Sequence, residues 1–211
     1  MRKMPLIITG TLTLGLSLPI LATAQTAEGP GQQYISLTDW DTGILYQGWR
    51  AENLIDTEVQ GIGGEEIGEV EDILFGPDGN VVGVIIEGGG FWDIGDTHFR
   101  VAWEDLDIGP ALSQVTIPMT EETVEDYSVF EGWDDRETAR FWRASDLIGD
   151  YASLTDVATY GMVDDLIISR EGNLEAVIVT ADVEYGATGP YAYPYYGYDY
   201  GFDPAADVYE L

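Results

Sequence analysis

One histidine, no cysteine and 39 carboxylates bound the chemistry open to this chain of 211 residues. His98, in Thr97-His98-Phe99, has no Gly-x-Ser-x-Gly element to partner it in a nucleophile–base arrangement. It reads as a polar residue where a loop enters a strand. One imidazole and no thiolate argue against a transition-metal site. The missing cysteines also remove a disulfide framework, a thiol nucleophile and a lipid-modified cysteine. Glu65, Glu66, Glu69, Glu71 and Asp72 offer hard oxygens for Ca²⁺, but their spacing is not that of an EF-hand loop. Alternation along a strand sets Glu69 and Glu71 on one side, where a solvated face is expected. A glycosidase built on two carboxylates would need a groove that small domains hardly provide. Gly61-Ile62-Gly63-Gly64 and Gly88-Gly89-Gly90 lack a following Lys and sit in a negative field, so they read as turns and not as phosphate cradles.

The residues best suited to contact a partner are aromatic. Of the 13 Tyr, seven fall between positions 185 and 200: Tyr185, Tyr191, Tyr193, Tyr195, Tyr196, Tyr198 and Tyr200. Pro190 and Pro194 are expected to break regular structure there, giving a loop or disordered arm. Tyr combines large contact area with low entropy cost, so the segment could hold a protein or a sugar. The alternative is a cover over an open barrel edge. Trp92, after Gly90 and Phe91, is the indole expected to be exposed, whereas Trp49 and Trp142 read as packing residues. The candidate interaction surface is therefore Trp92 with Tyr191, Tyr193, Tyr195, Tyr196, Tyr198 and Tyr200. No catalytic, cofactor-binding or metal-binding residue is assigned.

What must position these residues is a folded and strongly acidic chain. Eight basic residues against 39 acidic ones give a net charge of −31, which disfavours nucleic acid and anionic lipid. Hydrophobic residues at 45% and aromatics at 12% are too many for a disordered acidic tail. The start, Met1-Arg2-Lys3-Met4, leads into an apolar run to about Leu21 and then Ala22-Thr23-Ala24. That is the pattern of a secretory signal, with cleavage expected after Ala24 and a periplasmic or secreted location implied. Pro19 and the polar Thr9, Thr11, Thr13 and Ser17 argue against a retained membrane anchor. Cleavage would remove the only Lys and leave a charge of −33 on the rest. An acidic, Arg-only remainder suits salty surroundings, where screening weakens self-repulsion.

The chain repeats itself. Trp49-Arg50-Ala51-Glu52-Asn53-Leu54-Ile55 recurs 93 positions later as Trp142-Arg143-Ala144-Ser145-Asp146-Leu147-Ile148. Without a gap, the same offset aligns Gly68 with Gly161, Val70 with Val163, Asp72 with Asp165, Gly79-Asn80 with Gly172-Asn173 and Val84-Ile85 with Val177-Ile178. From Trp49 to Ile86, 12 of 38 positions are identical. Each copy predicts a short helical turn at Ala-x-x-Leu-Ile, with Ser145 as a cap in the second. Strands are predicted at Ile67 to Phe75 and Tyr160 to Ile168, returning at Val81 to Ile86 and Leu174 to Val179. Between them, Gly79 and Gly172 sit where a hairpin needs positive φ. Almost every residue from Val81 to Ile86 is apolar, as in the wall of a small closed barrel. Further strands are predicted near Phe99 to Trp103 and Ser113 to Pro118. Helices are predicted from Thr120 towards Val129 and from Asp134 to Ala144.

These residues resemble the PRC-barrel family. The resemblance rests on Arg-Ala-x-x-Leu-Ile, the strand Ile67 to Leu74, Asp78-Gly79-Asn80, Val84-Ile85-Ile86-Glu87 with its glycines, and Arg100 to Leu106. It runs well over about Trp49 to Asp126 and less well over Trp142 to Leu211, where a Tyr-rich insertion at 185–202 departs from the pattern. It implies an all-β fold of two tandem small barrels, residues 49–128 and 142–211. A linker helix at 129–141 would join them, behind a signal at 1–24 and an extension at 25–48. The family occurs in the photosynthetic reaction-centre H subunit and in ribosome-maturation factors, so a structural or interaction module is implied, without shared catalytic residues. Three readings stand open: a non-enzymatic binding or scaffolding module of the envelope whose partner is a protein or envelope component, an accessory to electron-transfer complexes, and a carboxylate hydrolase.

Overall fold

Two long hairpins are the frame of the structure, a computed structural model that describes residues 41–88, 97–109, 112, 114–120, 123, 141–154, 157–185, 189–197, 203 and 206–211. After a two-residue strand β1 (Trp49–Arg50) and a single turn α1 (Ala51–Leu54) come β2 (Glu58–Gly61) and β3 (Glu66–Phe75). The chain returns in β4 (Val81–Gly88) and continues through β5 (Thr97–Val101), β6 (Asp107–Ile108) and β7 (Val115–Ile117). The second half follows the same plan, with β8 (Trp142–Arg143), α2 (Ala144–Leu147), β9 (Tyr151–Leu154) and β10 (Val157–Ile168). It closes with β11 (Leu174–Ala181), β12 (Pro190–Pro194) and β13 (Val208–Glu210). The fold is all-β, as the apolar runs and Gly-Asn turns imply, with two four-residue helices as its only α elements among the described residues.

Each half forms a curled sheet, ordered β5-β4-β3-β2-β7-β6 in the first and β12-β11-β10-β9-β13 in the second. The two curled sheets form half-barrels, in keeping with the small barrels expected. In both halves the fourth strand along each order pairs in parallel with the next: Val59 with Val115, and Ala152 with Tyr209. The hairpin turns place Gly79 at φ 76° and Gly172 at φ 83°, a conformation that costs glycine nothing. Gly68 and Gly161 answer a different need. A methyl group on Gly68 would lie 1.9 Å from the Glu87 carbonyl oxygen, and one on Gly161 2.2 Å from that of Thr180. No side chain fits where the strands cross so closely.

The halves do not keep their own first strands. β1 opens the first half but pairs with β10, Trp49 opposite Ile168. β8 opens the second half but pairs with β3, Trp142 opposite Phe75. Between these exchanged strands the two hairpin turns meet tip to tip, with Asn80 bridged to Asn173. The Val81 amide donates to the Gly172 carbonyl (2.7 Å) and the Leu174 amide to that of Gly79 (2.8 Å). Positions 93 apart thus hold equivalent places about a local twofold. The described residues belong to a single compact unit, and their apolar side chains form one continuous core including Val70, Phe75, Val84, Trp142, Leu166 and Val177.

Three local expectations change. The helix expected over Asp134 to Ala144 has its first seven positions outside the described residues, and at its end Trp142–Arg143 is a strand. Ser145 does not cap α2. Arg143 is the N-cap, its amide donates to Asp146 (2.7 Å), and the Ser145 hydroxyl turns to the other half instead. Of the helix expected from Thr120, only Thr120 and Thr123 are described, joined in a hydrogen-bonded turn (3.0 Å). The expected signal also lies outside the described residues, among which no helix is long and apolar enough to cross a membrane.

Candidate functional site

Asp is a poor strand former, and it is costly to bury without partners. Both halves nevertheless bury one at the same place, Asp72 in β3 and Asp165 in β10, each beside a register shift in its hairpin. A bulge turns the carboxylate across the seam towards the helix entry of the opposite half. The Glu52 amide (2.9 Å) and the neighbouring Leu166 amide (2.7 Å) donate to Asp165 Oδ1, while Arg50 Nε donates to Oδ2. Symmetrically, the Ser145 amide (3.3 Å) and the Ile73 amide (2.8 Å) donate to Asp72 Oδ1, and the Ser145 hydroxyl donates to Oδ2. One difference between the copies here is Glu52 against Ser145. The Ser145 hydroxyl donates to Asp72, and the Arg50 guanidinium donates to Asp165.

The two locks titrate differently. Asp165 holds the Arg50 guanidinium protonated more firmly than usual through their hydrogen bond. Burial pushes the Asp72 carboxyl up from 3.8, partly offset by the Ser145 hydroxyl. The folded state therefore binds a proton at Asp72 more readily than the unfolded chain does. Its ionisation lowers stability as pH rises above the ordinary carboxylate range. Burial pushes Asp150 and Glu175 in the same direction. Acidification from neutrality towards that range is thus expected to raise the midpoint of urea unfolding. Asp72→Asn should flatten this dependence, and an unchanged slope in the variant would show that Asp72 does not contribute to it.

A pocket of about 290 Å³ opens on one side of the seam, lined by Trp49, Trp103, Glu104, Asp107 and Arg170 together with Leu106 and Ile108. It draws on three distant parts of the chain. Trp49 comes from the exchanged strand β1, and the Arg170 guanidinium lies over its ring at 4.7 Å. Trp103 Nε1 donates to the Arg170 carbonyl (3.3 Å), and its ring packs on Gly172, where any Cβ would collide with it. Its polar lining is one guanidinium and two carboxylates, Arg170 with Glu104 and Asp107.

The tyrosines are partly a cover. Pro190–Pro194 is the edge strand β12, not an arm, with Tyr191 opposite Val179 and Tyr193 opposite Val177. The Tyr195 amide continues the ladder to the Glu175 carbonyl (3.1 Å). Pro190 and Pro194 have the other parity, so the donors they lack would have pointed to the free edge. Tyr193 donates from its hydroxyl to that of Tyr160 (2.9 Å), and burial with this contact pushes its own phenol up. Tyr160 also meets Tyr185, centroids 5.7 Å apart. Tyr195 tilts against Trp142 at 6.1 Å and lies on Gly79, as Trp103 lies on Gly172. Tyr196 is half-buried, while Tyr191 is 43% and Tyr185 41% exposed. Trp92, Tyr198 and Tyr200 lie outside the described residues.

Trp49 and Trp142 are buried, as packing residues should be. Glu69 is exposed and Glu71 half-exposed, and Glu71 pairs with His98 Nε2 at 3.2 Å across the sheet. Among the described residues no group of His, Asp and Glu is arranged to hold a metal ion. Sequence reasoning missed the buried Asp pair and the Trp103–Arg170 contact. For the first a signal existed, since Asp72 and Asp165 match in the repeat at a position where Asp has no reason to be in a strand. Residues 49–132 match the PRC-barrel domain family. No curated protein matches the chain.

Proposed function

We propose that this chain is an exported, non-enzymatic binding or scaffolding module of the cell envelope, built from two PRC-type units of which residues 142–211 are the second. The observation that carries this is where ten of the twelve shared residues go. Trp49 and Trp142 fill the core through the exchanged strands, and Arg50, Asp72, Asp165, Asn80 and Asn173 tie the seam. Gly68, Gly161, Gly79 and Gly172 admit close neighbours, and Ala51, Leu54, Val70 and Val84 are buried with their counterparts. What both halves retain is a platform, and what they present to partners is in the residues that differ. The PRC-barrel match over residues 49–132 supports the same reading. Crosslinking in envelope extracts tests it. Reproducible capture of a discrete partner is the expected result, whereas turnover abolished by changing one carboxylate pair would replace it with a hydrolase.

The charge of −31 belongs to the same proposal. In an exported protein working in salt, screening relieves carboxylate repulsion over a folded surface. The melting temperature should rise by several degrees between about 10 mM and 1 M NaCl, where the Debye length falls from roughly 30 to 3 Å. Higher stability at the low-salt end would overturn the salt-adaptation reading.

A further inference from the structure

The outer face of the second sheet carries a row of side chains whose composition differs from that of the surrounding surface. Val208 in β13 stands opposite Tyr151 in β9, Tyr151 opposite Met162 in β10, Met162 opposite Thr180 in β11, and Thr180 opposite Pro190 in β12. Directly opposed residues share a face, so these five form one line across the strands. At about 4.8 Å per strand the line is roughly 19 Å long. Its large apolar members are open to solvent: Tyr151 is 54%, Met162 46% and Val208 40% exposed. Isolated exposed apolar residues need no explanation, but three in register on a chain of this charge do.

One flank of the row is acidic. Asp150 precedes Tyr151, Asp207 precedes Val208, and Asp164 follows Met162 by two residues, on the same side of the strand. Asp207 and Asp146 lie close enough to Asp150 to raise its carboxyl pKa further above the burial effect. The five strands β9 to β13 contain no Lys, Arg or His. A second copy of this chain would bring the same carboxylates against them, and like charges brought face to face oppose docking.

We infer that this row is a docking surface for a basic amphipathic helix of another protein. Its apolar stripe would lie along Val208, Tyr151 and Met162, with Lys or Arg on the flank that meets Asp207, Asp150 and Asp164. A helix covering roughly 19 Å at 1.5 Å per residue needs about 13 residues, or three to four turns. The inference rests on the binding-module reading and names the chemistry of its partner.

Titration calorimetry of the folded chain tests it with two synthetic 14-residue Leu–Lys peptides. One has its Leu at helical spacing, and the other has the same composition scrambled so that no stripe forms. At about 0.15 M salt the patterned peptide should bind at least tenfold more tightly, and Tyr151→Ser with Met162→Ser should reduce its binding to the scrambled level. A circular-dichroism melt of the double variant checks folding. Should it melt early, Met162→Lys alone, at an exposed strand position, gives the same comparison. Equal binding of both peptides, or undiminished binding by the variants, overturns the inference, because charge alone would then explain the affinity. Self-association lost in the variants would also overturn it, giving the row to a second copy. Envelope crosslinking separates the two levels of the argument. A partner still captured by the double variant removes this surface but leaves the module reading. No capture by the unaltered chain, with patterned-peptide binding intact, counts against the module reading and not against the surface.

Discussion

Trp142→Ala should lower stability by about 3–5 kcal/mol, the usual cost of removing a buried Trp. For a chain of this size that corresponds to a melting temperature roughly 6–20 °C lower. The cost is expected at the high end because Trp142 is only 1% exposed and stacks on Phe75, centroids 4.5 Å apart and planes within 20°. Tyr195 leans on its other side. It also lies in β8, a two-residue strand of the second half held in the first sheet, so its loss opens the core where the halves join. Trp142→Phe keeps a ring against Phe75 and should recover most of the loss. The equivalent Trp49→Ala removes an indole that is 7% exposed at the edge of a pocket, and it should cost less. Calorimetric melts of the three variants decide the matter. If Trp142→Ala melts within about 2 °C of the parent, the exchanged strand does not carry the packing assigned to it.

Asp165→Ala is the second large effect, expected at about 3 kcal/mol. Its side chain is fully buried, and truncation leaves the Glu52 and Leu166 amides without their acceptor. A stranded buried donor costs about 1–3 kcal/mol. Arg50 loses its carboxylate too, but its side chain is 48% exposed and water can take over, so the full penalty of a buried orphan charge is not incurred. Asp165→Asn retains an oxygen for both amides but sets an NH2 donor against the Arg50 Nε–H, so it loses the Arg50 hydrogen bond and, with the half-exposed guanidinium turning to water, should cost about half as much. Urea unfolding of both variants with Arg50→Ala in a double-mutant cycle isolates the ion pair from the two amides. An Asn variant no more stable than the Ala variant would show that the Arg50 pair, not the amide acceptors, holds the seam.

How much of this was legible in the residues depends on the range of the interaction. The Gly79 and Gly172 turns were readable because positive φ is a local demand that one residue type meets cheaply. β3, β4, β10 and β11 were readable because long apolar runs bounded by such turns have few other uses. The Trp-Arg entry strands were not, since two residues have no periodicity and their ladder partners lie more than sixty positions away. Trp142 consequently read as the end of a helix. Pro190 and Pro194 read as breakers of regular structure, which holds inside a sheet and fails at a free edge where no partner needs their missing donors.

The candidate site divides in the same way. Composition fixed the absence of thiols, the single imidazole and the acidity, all independent of how the chain folds. The repeat marked Asp72 and Asp165 as equivalent, but their burial followed only from the bulges that turn them into the opposite half. The Trp49–Trp103–Arg170 pocket and the Val208–Tyr151–Met162 row have no sequence signature, because each gathers residues from separate strands. The sequence alone determined the two long hairpins and the absence of thiols, since turn conformation and runs of apolar residues act between near neighbours. Only the tertiary structure decided that the halves exchange their first strands and lock each other's carboxylates. That choice depends on contacts between residues far apart in the chain, and no local preference encodes them.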